Sequence, residues 1–223
     1  MPEKSDDKGS HLICGRCGRS TYYMFSTVKG LLSEKGRFSD SYHETVPDAL
    51  ALPISGGELA ALKTYRGEPV EMTTPERVYS QQLSRFGEVR IPHPVYTACV
   101  EIAKEDVIPI YALDMDDISF SETYVRHITG FQMISTSIKE KTLMSRQFRA
   151  RNPFDFVIEW DRAINSSKGY RQLELARERH MAGRITELLQ RHRVLLAVVE
   201  HERSNGISEH LASMPLSGKP TVR

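Results

Sequence analysis

Residues 194–206 read Val-Leu-Leu-Ala-Val-Val-Glu-His-Glu-Arg-Ser-Asn-Gly. An unbroken apolar run of this length fits a strand covered on both faces, as in a parallel sheet. Four ionisable residues, Glu200, His201, Glu202 and Arg203, follow it at once. Packing gives no reason for them to stand together. Open parallel sheets bind ligands beyond the carboxyl ends of their strands, so these residues fall where chemistry is expected. A histidine beside two glutamates suits metal binding or proton transfer near neutral pH.

The pattern extends outward from this strand. Upstream, a long helix is predicted from about Lys168 to His192. Its Leu173, Ala176, Met181, Ile185, Leu188 and Leu189 recur at helical spacing. Arg177 and Met181 lie one turn apart, on one face. Further apolar strands are predicted at His11–Cys14, Asp48–Leu52 and Val107–Leu113, the last with an edge-favouring Pro109. Helices are predicted from Thr74-Pro75-Glu76 to about Arg85, from Pro94 to Glu105, and from Asn152-Pro153, with Phe156, Val157 and Trp160 on one face. Alternating strands and helices predict an α/β fold with a mostly parallel central sheet and helices on both faces. A single domain over residues 10–214, with a helical insert at about 119–165, is expected between disordered tails at 1–9 and 215–223.

Composition narrows the class. Hydrophobic residues at 39% and charged residues at 26% describe a globular chain. Thirty basic residues balance twenty-nine acidic ones, which argues against a long-range field for nucleic acid. No apolar run approaches a membrane span, and Met1 to Ser10 lacks the apolar centre of a signal peptide. Three cysteines, Cys14, Cys17 and Cys99, argue against a disulfide framework, and a cytoplasmic location is expected. Cys14 and Cys17 form a CxxC pair near His11, but no second pair completes a zinc set.

Two other strand exits are chemically unusual. Gly15, Arg16, Gly18, Arg19 and Ser20 could form a loop that offers backbone amides to an anion, with a helix over Tyr22 to Leu32 pointing its positive end there. Asp114, Asp116 and Asp117 follow the strand ending at Leu113, where carboxylates suit a hard divalent cation or cap the next helix.

The order of these pieces resembles the TraB family, which is related to Tiki-type metallopeptidases and erythromycin-esterase-like proteins. The resemblance rests on Leu12-Ile13-Cys14-Gly15 through Ser20, Pro47-Asp48-Ala49-Leu50-Ala51-Leu52, Ile110 to Asp114, Arg177-Glu178-Arg179-His180-Met181-Ala182, and Val198-Val199 followed by Gly206-Ile207. It covers most of residues 11–212. It implies a metal-dependent hydrolase with an altered site, or a binding relative without turnover. Arg16-Cys17-Gly18-Arg19 lacks the family's loop histidine, the family's glutamate falls on about Pro53, and its late Gly-His falls on Glu202-Arg203. On this reading Glu200, His201 and Glu202 would be catalytic. Asp114, Asp116 and His201 would hold a divalent metal, and Arg177 and Arg203 would join the Gly15–Ser20 loop in holding an anionic group.

Two alternatives stay open. The Gly15–Thr21 loop could bind a phosphate or nucleotide. The chain could instead be a non-enzymatic interaction module using the basic stretch Lys139, Lys141, Arg146, Arg149 and Arg151. A small-molecule or peptide ligand is the expected partner, and a homo-oligomer is left open.

Overall fold

The computed structural model describes residues 12–133, 143, 146, 148–213 and 221–222. Strands β1 (Leu12–Cys17), β2 (Ser20–Thr27), β3 (Ala49–Leu52), β4 (Ile110–Ala112), β5 (Val194–Glu200) and β6 (Thr221–Val222) form one sheet in the order β4-β3-β5-β2-β1-β6. Strands β2, β5, β3 and β4 pair in parallel. Strand β1 pairs antiparallel with β2 and with β6. The α/β architecture with a mostly parallel sheet is therefore as the sequence predicts.

The helices are α1 (Glu34–Thr45), α2 (Gly56–Thr64), α3 (Thr74–Leu83), α4 (Pro94–Glu105), α5 (Asp117–His127), α6 (Pro153–Ile164), α7 (Lys168–Leu188) and α8 (His201–Ser213). Several begin where capping chemistry dictates. Thr73 caps α3 through a reciprocal box with Glu76, and Pro75 follows inside its first turn. Asp116 caps α5 by accepting from Ser119 N at 2.7 Å.

Side chains of β5 alternate between two cores. Leu195, Ala197 and Val199 join Met181, Ile185 and Leu188 of α7 and Ile207 and Leu211 of α8. Leu196 and Val198 join Phe38 and Tyr42 of α1 and Val95, Tyr96 and Cys99 of α4. Helices thus cover both faces, and each fully buried Leu or Val contributes roughly 1.5–3 kcal/mol. A third cluster gathers Val28 and Leu31 with Val78 and Leu83 of α3 and Phe156, Val157 and Trp160 of α6. It roofs the carboxyl ends of the parallel strands.

The anchor of that roof is testable. Asn152 Oδ1 accepts from Asp155 N at 2.8 Å, which satisfies an otherwise orphaned amide of α6. Asn152→Ala is expected to cost about 1 kcal/mol in chemical denaturation. An unchanged midpoint would refute the cap's role.

Two expectations are corrected. Tyr22 to Leu32 is not a helix after a phosphate loop: residues 20–27 are strand β2, and Gly18 and Arg19 form the turn of the β1–β2 hairpin. Thr, Tyr, Phe and Val crowd this segment, and such residues favour the pleated sheet. The last helix follows β5 directly, because α8 starts at His201. Ser204 Oγ donates within this helix to His201 O at 2.7 Å. Residues 1–9 lie outside the described residues, as do Lys139 and Lys141 of the basic stretch. Within 215–223, the described Thr221 and Val222 pair with β1. Among the described residues no helix is long and apolar enough to cross a membrane.

Candidate functional site

A cavity of about 310 Å³ lies beneath the roof, at the carboxyl ends of β2 and β5. Its floor begins with Lys29, two residues past β2. Local contacts fix this loop. Glu34 at the start of α1 accepts from Val28 N at 3.2 Å, Tyr79 of α3 donates to Lys29 O at 3.0 Å, and Arg90 N donates to Gly30 O at 2.9 Å. Gly30 sits at φ 95°, a conformation that favours glycine. Lys29 Nζ reaches Glu200, the last residue of β5, at 3.3 Å. The Glu200 carboxylate raises the Lys29 ammonium, overcoming the opposing effect of burial.

Glu202 lies in the first turn of α8 and also lines the cavity. Its Oε2 is buried without a hydrogen-bond partner. Burial first, and then the neighbouring Glu200, push its carboxyl up to about 8. Both causes favour the protonated form of Glu202 beside the ion-paired Glu200. His93, before α4, contributes a second buried polar atom without a partner, Nδ1. Burial and the nearby Lys29 hold this imidazole down at about 3, so it stays neutral.

A chain of charges walls the cavity's other side. Arg177 of α7 grips Asp114 at the end of β4, with Nη2 to Oδ2 at 2.5 Å and Nε to Oδ2 at 3.1 Å. Its Nη1 donates to Glu174 Oε2 at 2.8 Å. Arg203 of α8 approaches Glu174 at 3.2 Å and Glu178 at 3.3 Å, and it pairs with Asp161 of the roof helix α6. Burial lowers Arg203 to about 10 and, with Glu174 close by, raises Glu178 to about 7. Gly206 permits this packing of α7 on α8, because a Cβ there would overlap the Glu178 carboxylate.

The expected site residues divide accordingly. Glu200, Glu202, Arg177, Arg203 and the Arg177 partner Asp114 come together. Both arginines are already held by carboxylates, so their charge is spent inside the protein. Gly15, Arg16, Gly18, Arg19 and Ser20 lie at the opposite end of the sheet. Gly15 pairs with Tyr22, five residues before Thr27 opposite Glu200, or about 17 Å along the strand. Cys14 and Cys17 stand three apart on β1 and so point to opposite faces.

The residues expected to hold a metal do not converge. Asp114 is clamped by Arg177, Asp116 caps α5, and His201 Nδ1 lies 2.7 Å from Ser26 Oγ with its ring against Phe154. Among the described residues no group of three or more His, Cys, Asp or Glu side chains could hold a metal ion. These donors do not fit the metal that the TraB resemblance implies.

Lys29, His93, Asp161, Glu174 and Glu178 escape a sequence reading. Lys29 carried one signal: reading Thr21 to Val28 as a strand puts it at a strand exit. The acids of α6 and α7 have the spacing of a solvated helix face. No protein-family model and no curated protein matches the chain.

Proposed function

We propose that the chain is a TraB-like hydrolase whose cavity works by acid–base chemistry, with Glu202 as the proton donor and Glu200 as the base. The pairing of a protonated carboxyl with an ion-paired one on a single cavity wall carries this reading. A buried carboxyl that keeps its proton, set beside a carboxylate held by a cation, can serve acid and base steps together. Glu200 takes a proton from a water as its oxygen attacks the substrate, and Glu202 gives its proton to the departing atom. One water is consumed and one bond is broken. Lys29 holds Glu200 in place. The segments behind the TraB resemblance support the reading, since Arg177 on α7 and Glu200, Glu202 and Arg203 line this cavity, with Asp114 held by Arg177.

The purified protein should be tested against chromogenic esters, amides and phosphoesters across pH. Turnover is expected that falls as Glu202 ionises, near pH 8. Prior dialysis against a chelator is expected to leave the rate unchanged. If no substrate turns over while ligands still bind in the cavity, the chain is a binding relative and the hydrolase reading fails.

A further inference from the structure

The cavity has a floor and a mouth with different chemistry. Its floor is the Lys29–Glu200 pair with Glu202 and His93. Its mouth is formed by the loop before α3 and by the roof helices. Trp160 and Tyr79 line the cavity with ring centroids 5.5 Å apart, edge to face. Val70 and Met72 flank the opening and are 45% and 39% exposed.

The charge of the lining is one-sided. Glu71, Glu76, Asp161, Glu174 and Glu200 face the cavity against Lys29, Arg177 and Arg203, while burial favours the uncharged form of Glu202. Each of those three cations is already paired with a carboxylate. Glu71 and Glu76 at the mouth form no ion pair among the described residues. Among the described residues Glu76 accepts from the Thr73 cap alone, through its backbone N at 2.7 Å and its hydroxyl at 2.8 Å. On the floor, Glu202 Oε2 and His93 Nδ1 are buried and lack partners, a state that a ligand's polar group would relieve.

We infer that the cavity admits a small molecule bearing a protonated amine, with the ammonium at the Glu71–Glu76 mouth beside Trp160 and an uncharged polar group on Glu202 and His93. The inference rests on the acid–base reading of the same site and supplies its substrate class. An ammonium is attracted by the surplus carboxylates and by the face of an indole ring. An anionic ligand would meet that surplus with no free cation to answer it. The aliphatic part lies along Val70 and Met72. Keeping the ammonium at the mouth leaves the Glu202 proton free for the reaction.

Trp160 is the protein's single tryptophan, so its fluorescence reports the cavity directly. Hexylamine, hexanol and hexanoate should be titrated against the whole protein at neutral pH. Hexylamine is expected to bind at least about tenfold more tightly than either, and added salt should weaken it. The Glu71→Gln and Glu76→Gln pair should erase that preference without changing hexanol binding, since glutamine still serves the cap. Hexanoate binding as well as hexylamine would overturn the inference, as would binding by none of the three. Because that preference is read without turnover, its loss alongside a Glu202-dependent rate on neutral substrates sinks the amine subsite alone. Amine binding with no turnover on any substrate sinks the hydrolase alone.

Discussion

Glu202→Gln is expected to abolish turnover and, at the same time, to make the protein more stable in mild alkali. A positioned proton donor contributes about 10²–10⁴-fold to a rate, and glutamine keeps the shape of glutamate without its labile proton. The stability gain follows from linkage. The Glu202 carboxyl titrates near 8 when folded and near 4.5 in its ordinary state. Between those values the native protein keeps a proton that the unfolded chain has released, so stability falls as pH rises. The penalty is small below the lower value and complete above about pH 8. The variant lacks this term. Denaturant unfolding at pH 5 and pH 9 measures it directly: the two proteins should be close in acid and well separated in alkali. A variant that loses stability equally at both values would mean that Glu202 is ionised in the native state, and the acid–base reading would go with it.

Arg203→Met produces the opposite effect by a related cause. Arg203 is the cation shared by Asp161, Glu174 and Glu178, and it joins α6, α7 and α8 beneath the roof. Methionine fills much of the same volume but leaves buried carboxylates without their partner, which costs about 3–5 kcal/mol. Glu174 and Glu178 are already raised by burial with Arg203 present. Losing the guanidinium raises them further, so the deficit grows as pH climbs above their ordinary value of 4.5. Unfolding in denaturant at pH 5 and pH 8 should reveal the larger loss at pH 8. Adding Glu174→Gln should recover part of it, as expected of residues in one network. A loss below about 1 kcal/mol, or a double variant that is simply additive, would show the network to be energetically slack.

Much of the scaffold was legible. The run at 194–199, the α4 helix from Pro94 and the Asn152 cap with Phe156, Val157 and Trp160 behind it all stand as read. Each is a local signal: apolar continuity, a proline inside the first turn, a capping side chain. The misreading at 15–32 was also local. Two glycines and an arginine imitated an anion loop, which outweighed the β-favouring Thr21 to Phe25 next to it.

The amino-acid sequence by itself determined that this is an α/β protein with a mostly parallel sheet, and that Glu200, Glu202, Arg203 and Asp114 stand at strand ends. Short-range periodicity and side-chain chemistry suffice for that. Only the tertiary structure decided which of them share a cavity and in what state. Asp114 and Arg177 are 63 residues apart, and Lys29 and Glu200 meet across two parallel strands. Whether a carboxyl keeps its proton depends on burial and on neighbours brought from other elements, and neither is written in the order of residues around it. Tertiary burial favours the protonated form of Glu202 beside the Lys29–Glu200 pair, and tertiary contacts bind both arginines to carboxylates.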